Sequence, residues 1–362
     1  MGEVDPAFIQ DIQHRPKAAS SPVQADGIPL IDLSAVVETA GSQSLGGGLD
    51  GLVADVGRAS KEWGFFQVIN HGVPPEKLRR VEEAAREFFR QPLEEKRKVR
   101  RDEASPLGYY ESEHTKNVRD WKEVFDFLVQ DPTLMPASYL PDDNEATEWS
   151  NKWPDYPPEL REACEDYKEE VEKLAFKLLE LIALSLGLPS DRFHGFFKDQ
   201  QTTFVRLNYY PPCPAPHLAL GVGRHKDAGA LTVLAQDNVG GLEVKRKSDG
   251  EWIRVKPTPN AYIINVGDII QVWSNDEYES VEHRVIVNSE KERFSVPFFF
   301  NPAHHVMVAP LQELVSEQSP AMYSPYSWGK FLITRKRSNF MKLDVENIQV
   351  HHFRLPPSQA DS

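Results

Sequence analysis

Cysteine is nearly absent from this chain. The 362 residues hold two, Cys164 and Cys213, and neither belongs to a Cys-x-x-Cys pair. That excludes a disulfide framework and suits a reducing compartment. Long apolar runs are missing too. The opening stretch, "MGEVDPAFIQDIQHRPKAASSP", has none, so neither a signal peptide nor an anchor is expected there, and the expected location is cytoplasmic. Basic charge is in short supply: 41 Lys and Arg stand against 55 Asp and Glu, a formal net charge of −14. Nucleic acid and an anionic membrane surface are therefore not expected as partners. The one compact basic cluster, Arg335-Lys336-Arg337, reads as a solvated helix end.

What is present divides the chain by texture. Residues 1–27 are polar and read as a mobile N-terminal arm. "IPLIDLS" (28–34) and "FFQVINHGV" (65–73) read as strands. Helical spacing marks 50–64, stopping at Gly64, a proline-bounded segment at 74–92, and a long stretch at 158–186. In the last, Leu160, Cys164, Tyr167, Val171, Leu174, Leu178 and Leu181 form one apolar stripe. From about residue 202 the pattern becomes β-rich. "TTFVRLNYY", "ALTVLAQ", "GLEVKR", "EWIRVK", "AYIINVG", "IIQVWS", "VEHRVIV" and "RFSVPFFF" are short segments separated by turn residues. Their number and spacing predict an α+β protein with a double-stranded β-helix (jelly-roll) core. The expected organisation is one catalytic unit: a mainly helical region at 28–200, the core at 201–305, and a helical cap and tail at 306–362.

The chemistry-bearing residues lie in the β-rich part. "GVGRHKDAGALTVLAQD" (221–237) carries His225 and Asp227; chance alone supplies about one His-x-Asp triplet in a chain this long, so the motif needs company. His283 supplies it from the strand "VEHRVIV". Two histidines and one carboxylate are the facial ligand set of non-haem iron, which leaves coordination positions open. Arg293 and Ser295 open "RFSVPFFF". An arginine inside an apolar strand needs an anionic partner, and a guanidinium beside a hydroxyl suits the distal carboxylate of a dicarboxylic acid.

These elements together resemble the plant 2-oxoglutarate- and Fe(II)-dependent dioxygenases, the group of flavonol synthase, anthocyanidin synthase and gibberellin oxidases. "WGFFQVINHGV" (63–73) and "NYYPPCP" (208–214) match that family's other signatures. The resemblance implies His225, Asp227 and His283 as iron ligands. It implies Arg293 and Ser295, helped by Asn208 and Tyr210, as the 2-oxoglutarate site. It also implies ascorbate as reductant, O2 and a small organic molecule as reaction partners, and a monomer. The implied reaction is oxidation, most simply hydroxylation, of a largely hydrophobic plant metabolite or hormone, with 2-oxoglutarate decarboxylated to succinate. A same-fold iron oxidase that does not use 2-oxoglutarate also carries Arg-x-Ser; length and the placement of Tyr210 favour the co-substrate. A non-catalytic ligand-binding jelly roll would not need all three ligands intact. The substrate pocket is expected to be aromatic, lined by Tyr109, Tyr110, Trp121, Phe127 and Trp328. Phe299 joins them because it shares strand parity with Arg293 and Ser295.

Overall fold

The computed structural model describes residues 4–16, 27–37, 48–102, 105–140, 142–337 and 347–356. Eight strands of the second half are divided between two sheets. Phe204–Tyr210, Leu231–Gln236, Tyr262–Val266 and Arg293–Phe300 lie in the larger sheet. Leu220–His225, Leu242–Lys245, Trp252–Arg254 and His283–Ile286 make the smaller one. The result is the expected jelly roll.

One of the eight expected segments is not a strand. "IIQVWS" falls in the helix Asp268–Trp273. All six residues of that helix are buried, so the run shows neither helical nor strand periodicity. The eighth strand is Leu220–His225, hidden in the sequence by Gly221 and Gly223, which weaken any strand signal. Gly221 has a reason: a Cβ there would lie 2.7 Å from the Tyr210 ring.

The first half extends the larger sheet with Leu30–Asp32, Phe65–Ile69, Gly108–Tyr110 and Glu123–Leu128. Its helices, among them Gly48–Glu62, Pro75–Arg90 and Leu160–Ser185, join that sheet in one apolar core. The stripe from Leu160 to Leu181 is buried throughout, and each such leucine contributes roughly 1.5–3 kcal/mol. Phe298 and Phe300 are fully buried, and Phe300 meets Phe176 of the long helix at 4.9 Å. The other face of the strand Arg293–Phe300 is left for the inside of the barrel.

Residues 4–16, expected within a mobile arm, instead pack on the body. Phe8 meets Trp121 in a tilted ring contact (4.7 Å), the Gln10 backbone amide donates to Leu218 O, and Arg284 donates to His14 O. Residues 1–3 and 17–26 of that arm lie outside the described residues. No helix among the described residues is long and apolar enough to cross a membrane.

Candidate functional site

Strand pairing fixes what faces the interior. Arg293 pairs with Tyr210, Ser295 with Asn208 and Gln236, and Phe299 with Phe204 and Thr232. Thr232 in turn pairs with Asn265. Side chains alternate along a strand, so these residues form rows on one inner face.

At one side of that face, His225 ends a strand of the smaller sheet, opposite His283 in register, and Asp227 follows on the turn. One nitrogen of each histidine and one oxygen of Asp227 lie within 4.8 Å of one another. Among the described residues this is the one cluster of its kind. Each imidazole is oriented by a backbone carbonyl: His225 Nδ1 to Gly223 O at 2.9 Å, His283 Nδ1 to Val281 O at 3.2 Å. With each Nδ1 turned to a carbonyl, both Nε2 atoms face Asp227 Oδ1, at 3.5 and 3.6 Å. The other carboxylate oxygen, Oδ2, accepts from the Thr232 hydroxyl (2.6 Å) and the Asn265 amide (2.9 Å). Burial and repulsion from His225 push His283 down to about 4, so it is neutral at pH 7. Burial alone would raise the Asp227 carboxyl, but the imidazoles and Thr232 hold it well below the usual carboxylate range. Two imidazoles and an ionised carboxylate, converging on one point, suit a divalent iron.

A cavity of about 70 Å3 adjoins this cluster, bordered by Asn208, Tyr210, Arg293 and Ser295. Arg293 is 3% exposed. Its two terminal nitrogens donate to Ser295 Oγ (3.3 Å) and Gln236 Oε1 (2.9 Å), its guanidinium lies 4.9 Å from the Tyr210 ring, and its Nε has no partner. Asn208 donates weakly to Ser295 Oγ at 3.4 Å, while Asn208 Oδ1 is unpartnered. A buried guanidinium held by neutral groups is a site for an anion. A larger cavity, about 660 Å3, opens from the same cluster.

The comparisons with known proteins agree with this geometry. A family model described as the 2OG-Fe(II) oxygenase superfamily matches residues 201–302. A second, described as non-haem dioxygenase in morphine synthesis N-terminal, matches 28–156. Jasmonate-induced oxygenase 2 of Arabidopsis thaliana is 39% identical over 345 residues, 94% of this chain and 88% of that one. The chain belongs to the 2-oxoglutarate/Fe(II) oxygenase family. Oxoglutarate-dependent flavonoid 7-O-demethylase 1 of Ocimum basilicum is a further relative, 34% identical over 89% of this chain and 82% of its own. A crystal structure of JOX2 in complex with 2OG, Fe and JA superposes with a TM-score of 0.79 at 35% identity, covering 98% of this chain and 95% of that one. This oxygenase is thus an oxidoreductase that uses Fe(II) and 2-oxoglutarate.

The walls of the oxygenase's larger cavity depart from the expected aromatic lining. Phe299 borders both cavities and stacks on Phe204 (4.7 Å). Trp328 borders the larger one, its indole donating to Thr202 Oγ1 at 2.8 Å. The other four aromatics do not line it. Tyr109 is buried under the helices, its hydroxyl donating to Glu123. Tyr110 lies beneath the Arg100 and Arg101 guanidiniums. Trp121 donates to Pro211 O and meets the Phe8 ring in a tilted contact. Phe127 pairs with Val205 rather than with an inward residue and packs on Trp153. What fills their place is charge: Glu113, Lys122, Arg206, Arg224, Arg335 and Lys336. Sequence reasoning missed Arg206, although it stands two residues from inward-facing Asn208. It also missed Thr232 and Asn265; Asn265 was signalled as the lone polar residue in "YIINV".

Proposed function

We propose that His225, Asp227 and His283 hold the Fe(II), and that Arg293 and Ser295 take the distal carboxylate of 2-oxoglutarate with Asn208 and Tyr210 completing that pocket. The single observation supporting this most is Arg293: a buried cation, its Nε unpartnered, facing the three-ligand cluster across one small cavity. Bound together, Fe(II) and 2-oxoglutarate supply oxidising power as O2 is consumed and the co-substrate becomes succinate and CO2. The chain's own residues prepare that chemistry. Gly223 and Val281 carbonyls fix both imidazoles with Nε2 inward. Thr232 and Asn265 occupy Asp227 Oδ2, so Oδ1 alone faces the metal position. Phe65, Val222, Leu234, Leu242 and Val285 wall the small cavity with apolar groups that exclude water.

The organic substrate, a small plant metabolite or hormone, enters the larger cavity and is most simply hydroxylated; relatives named for a flavonoid and crystallised with JA support that class. Ascorbate serves as reductant. The protein works as a cytoplasmic monomer with no nucleic-acid or membrane partner, and the segments 28–200, 201–305 and 306–362 act as one catalytic unit. With Fe(II), ascorbate and a panel of plant metabolites, organic product and succinate should appear in equal amounts. Product formed without succinate would overturn the role given to 2-oxoglutarate.

A further inference from the structure

The helix Trp328–Arg337 turns Lys336 inward, against the expectation of a solvated basic run. Lys336 is 9% exposed and borders the larger cavity. Among the described residues its ammonium has no hydrogen-bonded or ion-paired partner. It meets two rings instead, Phe204 at 4.5 Å and Trp149 at 5.3 Å from their centroids. The acids nearby are already taken. Asp126 and Glu113 are both bound by Arg101 and Arg206, and Lys122 bridges Glu113 (2.9 Å) and Asp120 (3.2 Å). Among the described residues, three carboxylates thus face three cations, Arg101, Lys122 and Arg206, before Lys336 is counted. With Lys336 the described residues of this buried corner hold four cations against three anions, a surplus of one positive charge. Such a charge is costly unless something completes it.

We propose that this corner of the cavity receives an acidic group of the organic substrate. Lys336 takes its carboxylate, and the stacked Phe204 and Phe299 rings cover the apolar body that carries it. Leu332, Trp328 and Val222 continue the apolar wall. Arg206 cannot take that role alone, because all its terminal nitrogens are spent on Asp126 and Glu113. The substrate class is therefore small organic monocarboxylates rather than neutral metabolites. This rests on reading the larger cavity as the place where the organic substrate lies.

The test is calorimetric binding to the anaerobic Fe(II)·2-oxoglutarate enzyme, which cannot turn over. The probes are 3-phenylpropanoate, indole-3-acetate and decanoate, each beside its methyl ester. At least one acid should bind roughly tenfold or more tightly than its ester, the value of one charge-assisted bond. Lys336→Met should abolish that preference and Lys336→Arg should keep most of it, while the 2-oxoglutarate Kd reports an intact site. If Lys336→Met does not fold, Lys336→Gln replaces it, and the wild-type acid-to-ester ratio still decides. No acid binding, esters binding as well as acids, or a preference that survives loss of the amine would overturn the proposal. Binding of acids through Lys336 without any Fe(II)-dependent succinate would spare this inference and sink the reaction assigned above. Succinate formation driven only by neutral compounds would do the reverse.

Discussion

Asp227 Oδ2 accepts a 2.6 Å hydrogen bond from the Thr232 hydroxyl, five residues further along the chain. The bond crosses the turn between two sheets and leaves Asp227 Oδ1 as the oxygen aimed at both histidines. Thr232→Val keeps the shape and removes the donor. It should weaken Fe(II) binding roughly tenfold to a hundredfold, the usual cost of losing an outer partner of a ligand, and Thr232→Ser should restore it. Unchanged metal affinity in anaerobic Fe(II) titration would show that Asn265 alone positions the carboxylate.

Arg293 should govern co-substrate affinity and not metal affinity. Arg293→Lys preserves charge but loses the fork that reaches Ser295 and Gln236. The KM for 2-oxoglutarate should rise about tenfold or more, worth on the order of 1–3 kcal/mol, with Fe(II) affinity retained. An unchanged KM would place the anion elsewhere.

Phe299 and Phe298 are neighbours with opposite fates. Phe299 borders the cavities, while Phe298 is fully buried on the helix side. Phe299→Ala should raise the KM of the organic substrate and release succinate without matching product, with 2-oxoglutarate affinity nearly intact. Phe298→Ala should instead cost stability, roughly 3–5 kcal/mol for the cavity it leaves. Identical behaviour of the two variants in coupling and melting temperature would refute the inward assignment.

Burial lowers the Lys336 amine from 10.5 to about 8, against the attraction of Asp126 and with Arg101 and Arg206 adding repulsion. Below pH 8 both folded and unfolded forms carry the charge, and the folded protein bears its full cost. Between pH 8 and 10.5 the folded amine loses its proton first and that cost fades, by up to about 3 kcal/mol. Without substrate, Lys336→Met should therefore melt higher than the wild type at pH 7, by a margin that shrinks toward pH 10. A margin independent of pH would mean the amine is not buried as described.

Much of this site was readable because its chemistry interrupts an apolar pattern. His283, Arg293 and Ser295 stand in strands that otherwise exclude polar side chains, and His225 and Asp227 follow a glycine-rich run. The strand bearing His225 was not readable, since Gly221 is selected by the closeness of the Tyr210 ring and not by strand propensity. The pocket wall failed for a different reason. Which face Phe127 presents depends on pairing Asp126 with Arg206 rather than its neighbour, and a one-residue slip reverses every side chain. Lys336 was misread from its charged neighbours, although Trp328, Leu332 and Lys336 recur every four residues along one helix face. That spacing, and not local charge, carried the signal.

The central claim is that His225, Asp227 and His283 make one iron site on which the oxidation depends. The most direct measurement is Fe(II)-dependent succinate release by purified, folded Asp227→Ala beside the wild type, with Fe(II) affinity measured on the same samples. The variant should bind Fe(II) weakly and release no succinate above the metal-free background. Near-normal succinate release with tight Fe(II) binding would contradict the assignment.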